Sequence, residues 1–174
     1  DNNGCVDDRY GCRFLNVTTE NAAGCGYTSS APVGDVRDDH GKPGSAQHSH
    51  GTLVAGILAA AGNNGIGVTG AAWNVKIMTV KVLDCGAFDG PRGEMVNVAE
   101  GIDYARRMGA KVINLSLATP AGSQVGDIQK LRDAIAAAEA EGVIIVAAAG
   151  NHAPGATQVG PGYPAAYTQY SNLV

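Results

Sequence analysis

The sequence predicts an α/β fold in which a parallel sheet has helices on both of its faces. Two kinds of segment alternate after residue 49, and each has its own spacing of apolar residues. Helix patterns and strand patterns follow one another in the order 50–61, 76–83, 93–108, 111–117, 124–141 and 143–149. Helices that connect similar strands produce a parallel sheet with helical layers outside it. The expected architecture therefore has three layers.

The first helix pattern, residues 50–61, joins a polar loop to a run of small and apolar residues. Ser49 has the position of an N-cap, and Gly62 is the expected stop. Because the helix is apolar on every face, we expect it to be buried. His50 in its first turn would then be held at the edge of a core, as a catalytic base requires. A histidine that only caps the helix is the alternative.

The carboxyl ends of the predicted strands are where ligands are expected to bind. Residues 117–119 follow the second strand, and residues 150–152 follow the third. His50, at the start of its helix, can reach the same edge of the sheet. The last strand, residues 143–149, is a continuous apolar run, which is typical of a strand that is covered on both faces.

Composition argues against two classes of partner. The chain has 174 residues and a net charge of −4, which suits one domain with a real core. Without a basic run, a nucleic-acid surface is not expected, and no apolar stretch reaches the length of a membrane span. Residues 1–49 are rich in turn-forming residues, so we expect a long loop region with a short strand at most.

Three of the four cysteines lie within the first 25 residues. In a secreted protein this crowding would indicate a disulfide that clamps an irregular N-terminal loop. Cys5–Cys12 and Cys12–Cys25 are both open as local pairings, and so are free thiols. Because no pair of CxxC spacings is present, a zinc site is not expected.

A glycine-rich segment, residues 65–70, fits the dinucleotide-binding pattern G-x-G-x-x-G. That pattern holds phosphate when it follows a strand and opens a helix. In this chain a predicted helix precedes the segment and a predicted strand follows it. We therefore reject a nucleotide-binding domain.

Three segments together carry a family resemblance, and they read HGTLVAG at 50–56, VINLSL at 112–117 and VAAAGN at 146–151. In their order, their spacing and the helices between them, they resemble the subtilisin family of serine endopeptidases. The resemblance extends from His50 to Tyr167. It implies an α/β subtilisin-like fold and a hydrolase that cleaves extended polypeptide substrates through an acyl-enzyme.

The resemblance also implies roles for two residues. His50 would be the general base, which takes the proton of the nucleophilic serine and later gives it to the leaving amine. Asn151 would donate its side-chain amide to the oxyanion that develops on the scissile carbonyl. A turn asparagine that merely ends a strand is the alternative for Asn151.

Two sets of residues would bind the substrate according to the resemblance. An extended peptide would add as a strand to the edge formed by Ser116, Leu117 and Ala118. The primary specificity pocket would be lined by Ala148, Ala149, Gly150 and Gly162. Because small residues leave space, a large apolar side chain is the expected preference. Ala118 stands where the family usually has glycine, and its methyl group would narrow the cleft.

The segment 62–68 resembles the calcium loop of many family members. The resemblance assigns four oxygen ligands of the kind calcium accepts, namely the carbonyls of Gly62, Ile66 and Val68 and the side-chain oxygen of Asn64. A carboxylate, for which Asp35 is the candidate, would complete the site. A tight turn without an ion is the alternative.

Two parts of the triad depart from the family pattern. The family has Asp-x-Gly at the end of a strand, and an ungapped reading of this chain places Asn2 in the position of that aspartate. With one inserted residue Asp1 takes the position, and we favour Asp1. The nucleophile motif Gly-Thr-Ser-Met-Ala-x-Pro does not occur, and Ser171 lies in an unrelated context.

We therefore interpret residues 1–174 as a single partial peptidase domain, truncated at both ends. Residues 1–49 would form its loop-rich part and residues 50–174 its β/α core. We expect this chain to be inactive alone and its parent to be a secreted serine endopeptidase. A catalytically inactive subtilase-fold module that binds peptides or partner proteins is the alternative.

Overall fold

The computed structural model describes residues 5, 10–15, 34, 36–37, 49–83, 94–120, 127–151 and 160–174. The chain divides into two compact units, Asp1–Glu94 and Met95–Val174. Within the described ranges the elements are β1 (Gly11–Arg13), α1 (His50–Ala59), β2 (Thr79–Lys81), α2 (Met95–Arg107), β3 (Val112–Leu115), α3 (Gln129–Ala140) and β4 (Ile144–Ala147). Their order matches the predicted alternation of helices and strands.

The first unit contains a two-stranded parallel sheet. In it β1 pairs with β2, with Gly11 opposite Thr79. Gly11 has φ 131°, and a Cβ at this position would lie 1.8 Å from the carbonyl oxygen of Thr79, so no larger residue fits. A short strand within residues 1–49 was the expectation, and β1 is that strand.

The structure contradicts the expected burial of α1. None of its residues is buried, and Leu53 and Ile57 are 62% and 71% exposed. The reason is that burial depends on what packs against a helix, whereas the apolar composition only makes burial favourable. The helix ends at Ala59, two residues before the predicted end, and the backbone N–H of Ala60 closes it on the carbonyl of Gly56.

The second unit has a core built from both of its helices and both of its strands. Helix α2 packs against α3, and α3 packs against β4. The buried apolar side chains of this core include Val98, Ile102, Leu131, Ile135, Ile113, Leu115 and Ile145. Gly109 and Gly142, at φ 85° and 70°, follow the two helices and confirm the predicted glycine stops.

Strands β3 and β4 form a parallel pair with one covered face. Their register runs from Val112 opposite Ile144 to Leu115 opposite Ala147. Val112, Ile144 and Val146 are 58%, 47% and 39% exposed, while the alternate residues are buried. The expected burial of residues 143–149 on both faces is therefore wrong in the described structure, because the side chains of Ile144 and Val146 stay exposed on one face.

A further chain segment lies along the free edge of β4. The backbone N–H of Ile145 donates to the carbonyl of Asn172 at 2.8 Å, and that of Val174 donates to Ile145 at 2.9 Å. Leu173 forms a parallel bridge with Ile145. These bonds pair backbone groups of β4 that would otherwise form an open sheet edge.

Cys5 and Cys12 form a disulfide, which selects one of the two local pairings that the sequence left open. Cys12 lies in β1 and is fully buried. Cys25 and Cys85 lie outside the described residues. The bridge ties the start of the chain to the sheet of the first unit.

No helix in the described part of the chain combines the length and the apolar character that crossing a bilayer requires.

A buried tyrosine connects the last segment of the second unit to the start of α3. The hydroxyl of Tyr167 donates to Oδ1 of Asp127 at 2.9 Å, and Asp127 also forms an ion pair with Arg132. The rings of Tyr163 and Tyr170 meet the Tyr167 ring edge to face. Burial, together with the hydrogen bond to Asp127, raises the pKa of Tyr167.

The raised pKa of Tyr167 predicts a loss of stability at alkaline pH. Because the folded state disfavours the phenolate, the contribution is fully present below the ordinary tyrosine pKa of about 10 and is lost as the pH rises above it. Chemical denaturation of wild type and Tyr167→Phe between pH 8 and 11 measures this. At pH 8 the variant should be less stable by about 1 kcal/mol, the value of one hydrogen bond, and its alkaline loss should be smaller.

Tyr170→Phe removes the hydroxyl of a neighbouring ring and is the matched control. It should retain the alkaline loss of the wild type. Equal alkaline losses in wild type and Tyr167→Phe would contradict the assignment to Tyr167.

Candidate active site

Three segments of the second unit converge beside the carboxyl ends of β3 and β4. They are residues 116–119 after β3, residues 148–151 after β4, and residues 160–164, and we call them the three wall segments. Ser116, Leu117, Ala118, Ala148, Ala149, Gly150 and Gly162, which are the predicted substrate-binding residues, all belong to these segments. The structure therefore brings together every predicted residue of the two substrate-binding sets.

Backbone hydrogen bonds join the wall segments in pairs. The N–H of Ala148 donates to the carbonyl of Leu115 at 3.0 Å, which continues the β3–β4 ladder by one residue. The N–H of Gly162 donates to the carbonyl of Ala149, also at 3.0 Å. The segment after β4 is thus bonded to the last residue of β3 and to the third wall segment.

Thr119 joins the first wall segment to the third with two hydrogen bonds to one residue. Its backbone N–H donates to the carbonyl of Tyr163 at 3.0 Å, and its Oγ1 accepts the N–H of Tyr163 at 2.9 Å. Thr119 is buried at 9% exposure. A side chain that acts as a backbone acceptor in this way fixes two segments at a set distance.

The glycines of the wall segments allow close approach. A Cβ on Gly162 would lie 2.1 Å from the carbonyl oxygen of Thr119 and 3.2 Å from the methyl carbon of Ala118. A Cβ on Gly150 would lie 3.8 Å from the same methyl, and Gly150 has φ 104°, which disfavours any side chain. Around these two glycines the walls therefore meet through backbone atoms and the methyl group of Ala118.

Asn151 follows Gly150 at the end of the second wall segment, and its side chain is exposed. At the end of β3, Nδ2 of Asn114 donates to Oγ of Ser116 at 2.9 Å, and both residues are exposed. Exposed amide and hydroxyl groups at a strand end can donate to the carbonyl groups of a peptide. The polar character of this rim suits a polypeptide ligand.

His50 is the first residue of α1 in the first unit, and it is exposed. Ser49 occupies the N-cap position with φ 64° and makes no side-chain capping bond. His50 follows this cap as the first residue of the helix, and its role stays a prediction. Asp1, the favoured triad aspartate, lies outside the described residues, as does Asp35.

The proposed calcium loop is a compact turn in the first unit. Oδ1 of Asn64 accepts the N–H of Ile66 at 3.0 Å. Gly62 lies against the ring of Trp73, where a Cβ would come within 2.3 Å of it. A carbonyl-type oxygen has two lone pairs, so Oδ1 of Asn64 retains one for an ion.

The oxygens of Gly62, Asn64, Ile66 and Val68 are uncharged and hard, which fits calcium. Among the described residues, no group of three or more acidic, histidine or cysteine side chains could hold a metal ion. The loop thus fits part of a calcium site.

Ser171 is engaged elsewhere. Its backbone N–H and its hydroxyl both donate to Oε1 of Glu139 at 2.6 Å. The pKa of Glu139 is lowered most by the hydrogen bond from the Ser171 hydroxyl and next by the bond from the Ser171 backbone N–H. A serine that donates to a carboxylate at the end of α3 lacks the partner of a catalytic nucleophile, in agreement with its unrelated sequence context.

Sequence reasoning missed Thr119 and Tyr163 as parts of the site. Tyr163 precedes Pro164 in a cis peptide bond, and the Gly162-Tyr163-Pro164 run was the available signal, because cis bonds are nearly confined to proline. No local signal marked Thr119, since its partner lies 44 residues away in the chain.

Comparison with known proteins gives consistent matches. The profile of the subtilase family matches residues 26–172. Thermitase from Thermoactinomyces vulgaris is 43% identical over 121 residues, which cover 70% of this chain and 39% of that protein. Subtilisin DY from Bacillus licheniformis is 40% identical over 120 residues, which cover 69% of this chain and 40% of that protein.

Solved structures agree with the sequence matches. Sphericase superposes with a TM-score of 0.64 at 28% identity, covering 94% of this chain and 44% of that structure. The chain thus spans about two fifths of the length of these relatives. The fold prediction is confirmed, and because the family profile matches most of its residues, this chain belongs to the subtilase family.

Proposed function

We propose that the protein to which this chain belongs is a serine endopeptidase that hydrolyses peptide bonds in extended polypeptides through an acyl-enzyme. The observation that carries the proposal is the convergence of the three wall segments next to Asn151. Membership of a family that includes subtilisins supports the reaction type. The proposed site binds peptide backbone along one edge and a single side chain between its walls.

Substrate binding in this proposal uses the edge after β3. Residues 116–118 continue beyond the last β3–β4 pair, so their backbone groups can pair with an added peptide strand. Main-chain hydrogen bonds give affinity without regard to sequence. The wall segments then select the side chain of the residue whose carbonyl is attacked, which we call P1.

Catalysis in this proposal uses three residues of the chain. His50 removes the proton of the nucleophilic serine and returns it to the leaving amine. Asp1 holds the imidazole in the required tautomer and stabilises the imidazolium. The amide of Asn151 donates to the oxyanion, which carries more charge in the transition state than in the bound substrate, so the bond accelerates the reaction.

The nucleophile is predicted to lie outside residues 1–174. A fluorophosphonate, which labels activated serines covalently, should therefore modify the full-length protein at one serine outside this chain. Mass spectrometry of the labelled peptide identifies that serine. The His50→Ala variant, which lacks the general base, should not be labelled. Stoichiometric labelling of any serine within residues 1–174 would refute this prediction.

The role of Asn151 predicts a specific kinetic defect. In the full-length protein Asn151→Ala should lower kcat by about 10²–10³ with little change in KM, a magnitude taken over from subtilisin of the same family. The exposed Asn74 serves as matched control, and Asn74→Ala should leave kcat within about twofold. An Asn151→Ala enzyme with normal kcat and raised KM would instead assign Asn151 to ground-state binding.

Calcium is proposed as a structural ion held by the loop at residues 62–68. The free lone pair of Asn64 and the neighbouring carbonyl oxygens support this assignment, with the remaining ligands supplied by other parts of the protein. A bound ion would hold the loop that leads from α1 to β2. It takes no part in the chemical step.

Calcium should raise the melting temperature of the full-length protein. At a free concentration 100 times the dissociation constant, the gain is about 2.7 kcal/mol. Asn64→Ala should remove most of it, Asn74→Ala should not, and magnesium at equal concentration should give little. If neither calcium nor a chelator changes the melting temperature, the loop is a tight turn that binds no ion.

The compartment and the alternative function have their own support. The Cys5–Cys12 disulfide favours an oxidising compartment, so we propose that the protein is secreted. A catalytically inactive peptide-binding module would use the same wall segments. It is distinguished by a full-length sequence without Gly-Thr-Ser-x-Ala after residue 174 and by the absence of fluorophosphonate labelling.

A further inference from the structure

We propose that the methyl group of Ala118 limits the size of the P1 side chain, so that the peptidase cleaves after small aliphatic residues. The inference rests on the proposed function, since it concerns the substrate of that site. It replaces the expectation of a large apolar side chain, which followed from the small residues in the sequence before their positions were known.

The methyl group of Ala118 lies beside one glycine of each of the other two wall segments. A Cβ on Gly162 would come within 3.2 Å of the Ala118 methyl carbon, and a Cβ on Gly150 within 3.8 Å. The open side of Gly150 therefore faces this methyl, whereas that of Gly162 faces the carbonyl oxygen of Thr119 first and the methyl next. Apart from the chain neighbours of Gly150, it is the one heavy atom in the described structure within 4 Å of that Cβ position.

The backbone around Ala118 is held on both sides. Immediately after it, Thr119 is bonded to Tyr163 through its N–H and its Oγ1. Three residues before it, the carbonyl of Leu115 accepts the N–H of Ala148. The methyl group cannot move away from the glycines unless these hydrogen bonds break.

The facing wall is held as well. Gly162 donates its N–H to Ala149, and its own carbonyl accepts the N–H of Ala166, both at 3.0 Å. Two walls that are both fixed cannot widen to admit a larger ligand at low cost, because packed protein interiors resist overfilling. The size limit is therefore a property of the backbone geometry and the single methyl group.

A difference of one carbon in an apolar pocket changes selectivity by about 10–200-fold. Removing the Ala118 methyl should raise kcat/KM for a substrate with a bulky P1 side chain by a factor within this range. It should change kcat/KM for a substrate with alanine at P1 very little. Adding carbon atoms at position 118 should act in the opposite direction and exclude side chains of intermediate size.

The test uses the full-length protein and peptide p-nitroanilides that differ only at P1. The wild type should have a higher kcat/KM for alanine than for phenylalanine. Ala118→Gly should raise the ratio of phenylalanine to alanine by about tenfold or more. Ala118→Val should lower the ratio of leucine to alanine by a similar factor, and it decides the question alone if the glycine variant does not fold.

Ala110→Gly is the matched control. Ala110 lies in the connection between α2 and β3, and its N–H donates to Ala105 at 3.0 Å, so the change removes a methyl group at the opposite end of β3. Its P1 ratios should match the wild type. Unchanged ratios in both Ala118 variants, or a wild type that prefers phenylalanine, overturn this inference alone, whereas absence of all cleavage overturns the proposed function with it.

Discussion

The parallel pairing of β3 with β4 is the constraint from which the candidate site follows. Four residue pairs, from Val112 with Ile144 to Leu115 with Ala147, align the two strands so that both end at the same level. Because the strands are parallel, their carboxyl ends lie at the same edge of the sheet. The hydrogen bonds of the wall segments begin at that edge. If one strand slipped by one residue, its inward side chain, Ile113 in β3 or Ile145 in β4, would turn out of the core, and the two strand ends would no longer be level.

Much of the fold could be predicted from local pattern. Among the described residues, apolar periodicity located the three helices and the last three strands. The glycines after α2 and α3 marked the ends of these helices, because a helix commonly stops where a residue adopts positive φ. The strands proved shorter than their apolar runs. Strand length is set by how many residues find hydrogen-bonded partners, and β3 and β4 share only four such pairs.

The exposure of α1 marks where local pattern fails. Leu53, Ile57 and Leu58 have the composition of a buried helix, yet all three are exposed. The apolar composition of a helix determines how much free energy its burial would gain. Whether another part of the chain packs against the helix depends on the tertiary fold. The same distinction explains the outward side chains of β3 and β4.

The site residues divide in the same way. Short motifs, through the family resemblance, singled out Asn151 and the small residues of the walls, and the roles of these residues stay predictions. Thr119 and Tyr163 escaped notice because their hydrogen bonds link positions 44 residues apart. The relation of His50 to Asn151 and the place of Asp1 in the triad stay predictions, since their evidence is the family resemblance.

The close approach of Gly162 to Thr119 also restricts how this protein can diversify. Every one of the other nineteen amino acids carries a Cβ, which would sit 2.1 Å from a carbonyl oxygen that is part of the main chain and has no rotamer to change. We therefore expect neither natural variation nor directed evolution to replace this glycine. Close descendants of this sequence should therefore keep glycine at this position and differ at the residues around it.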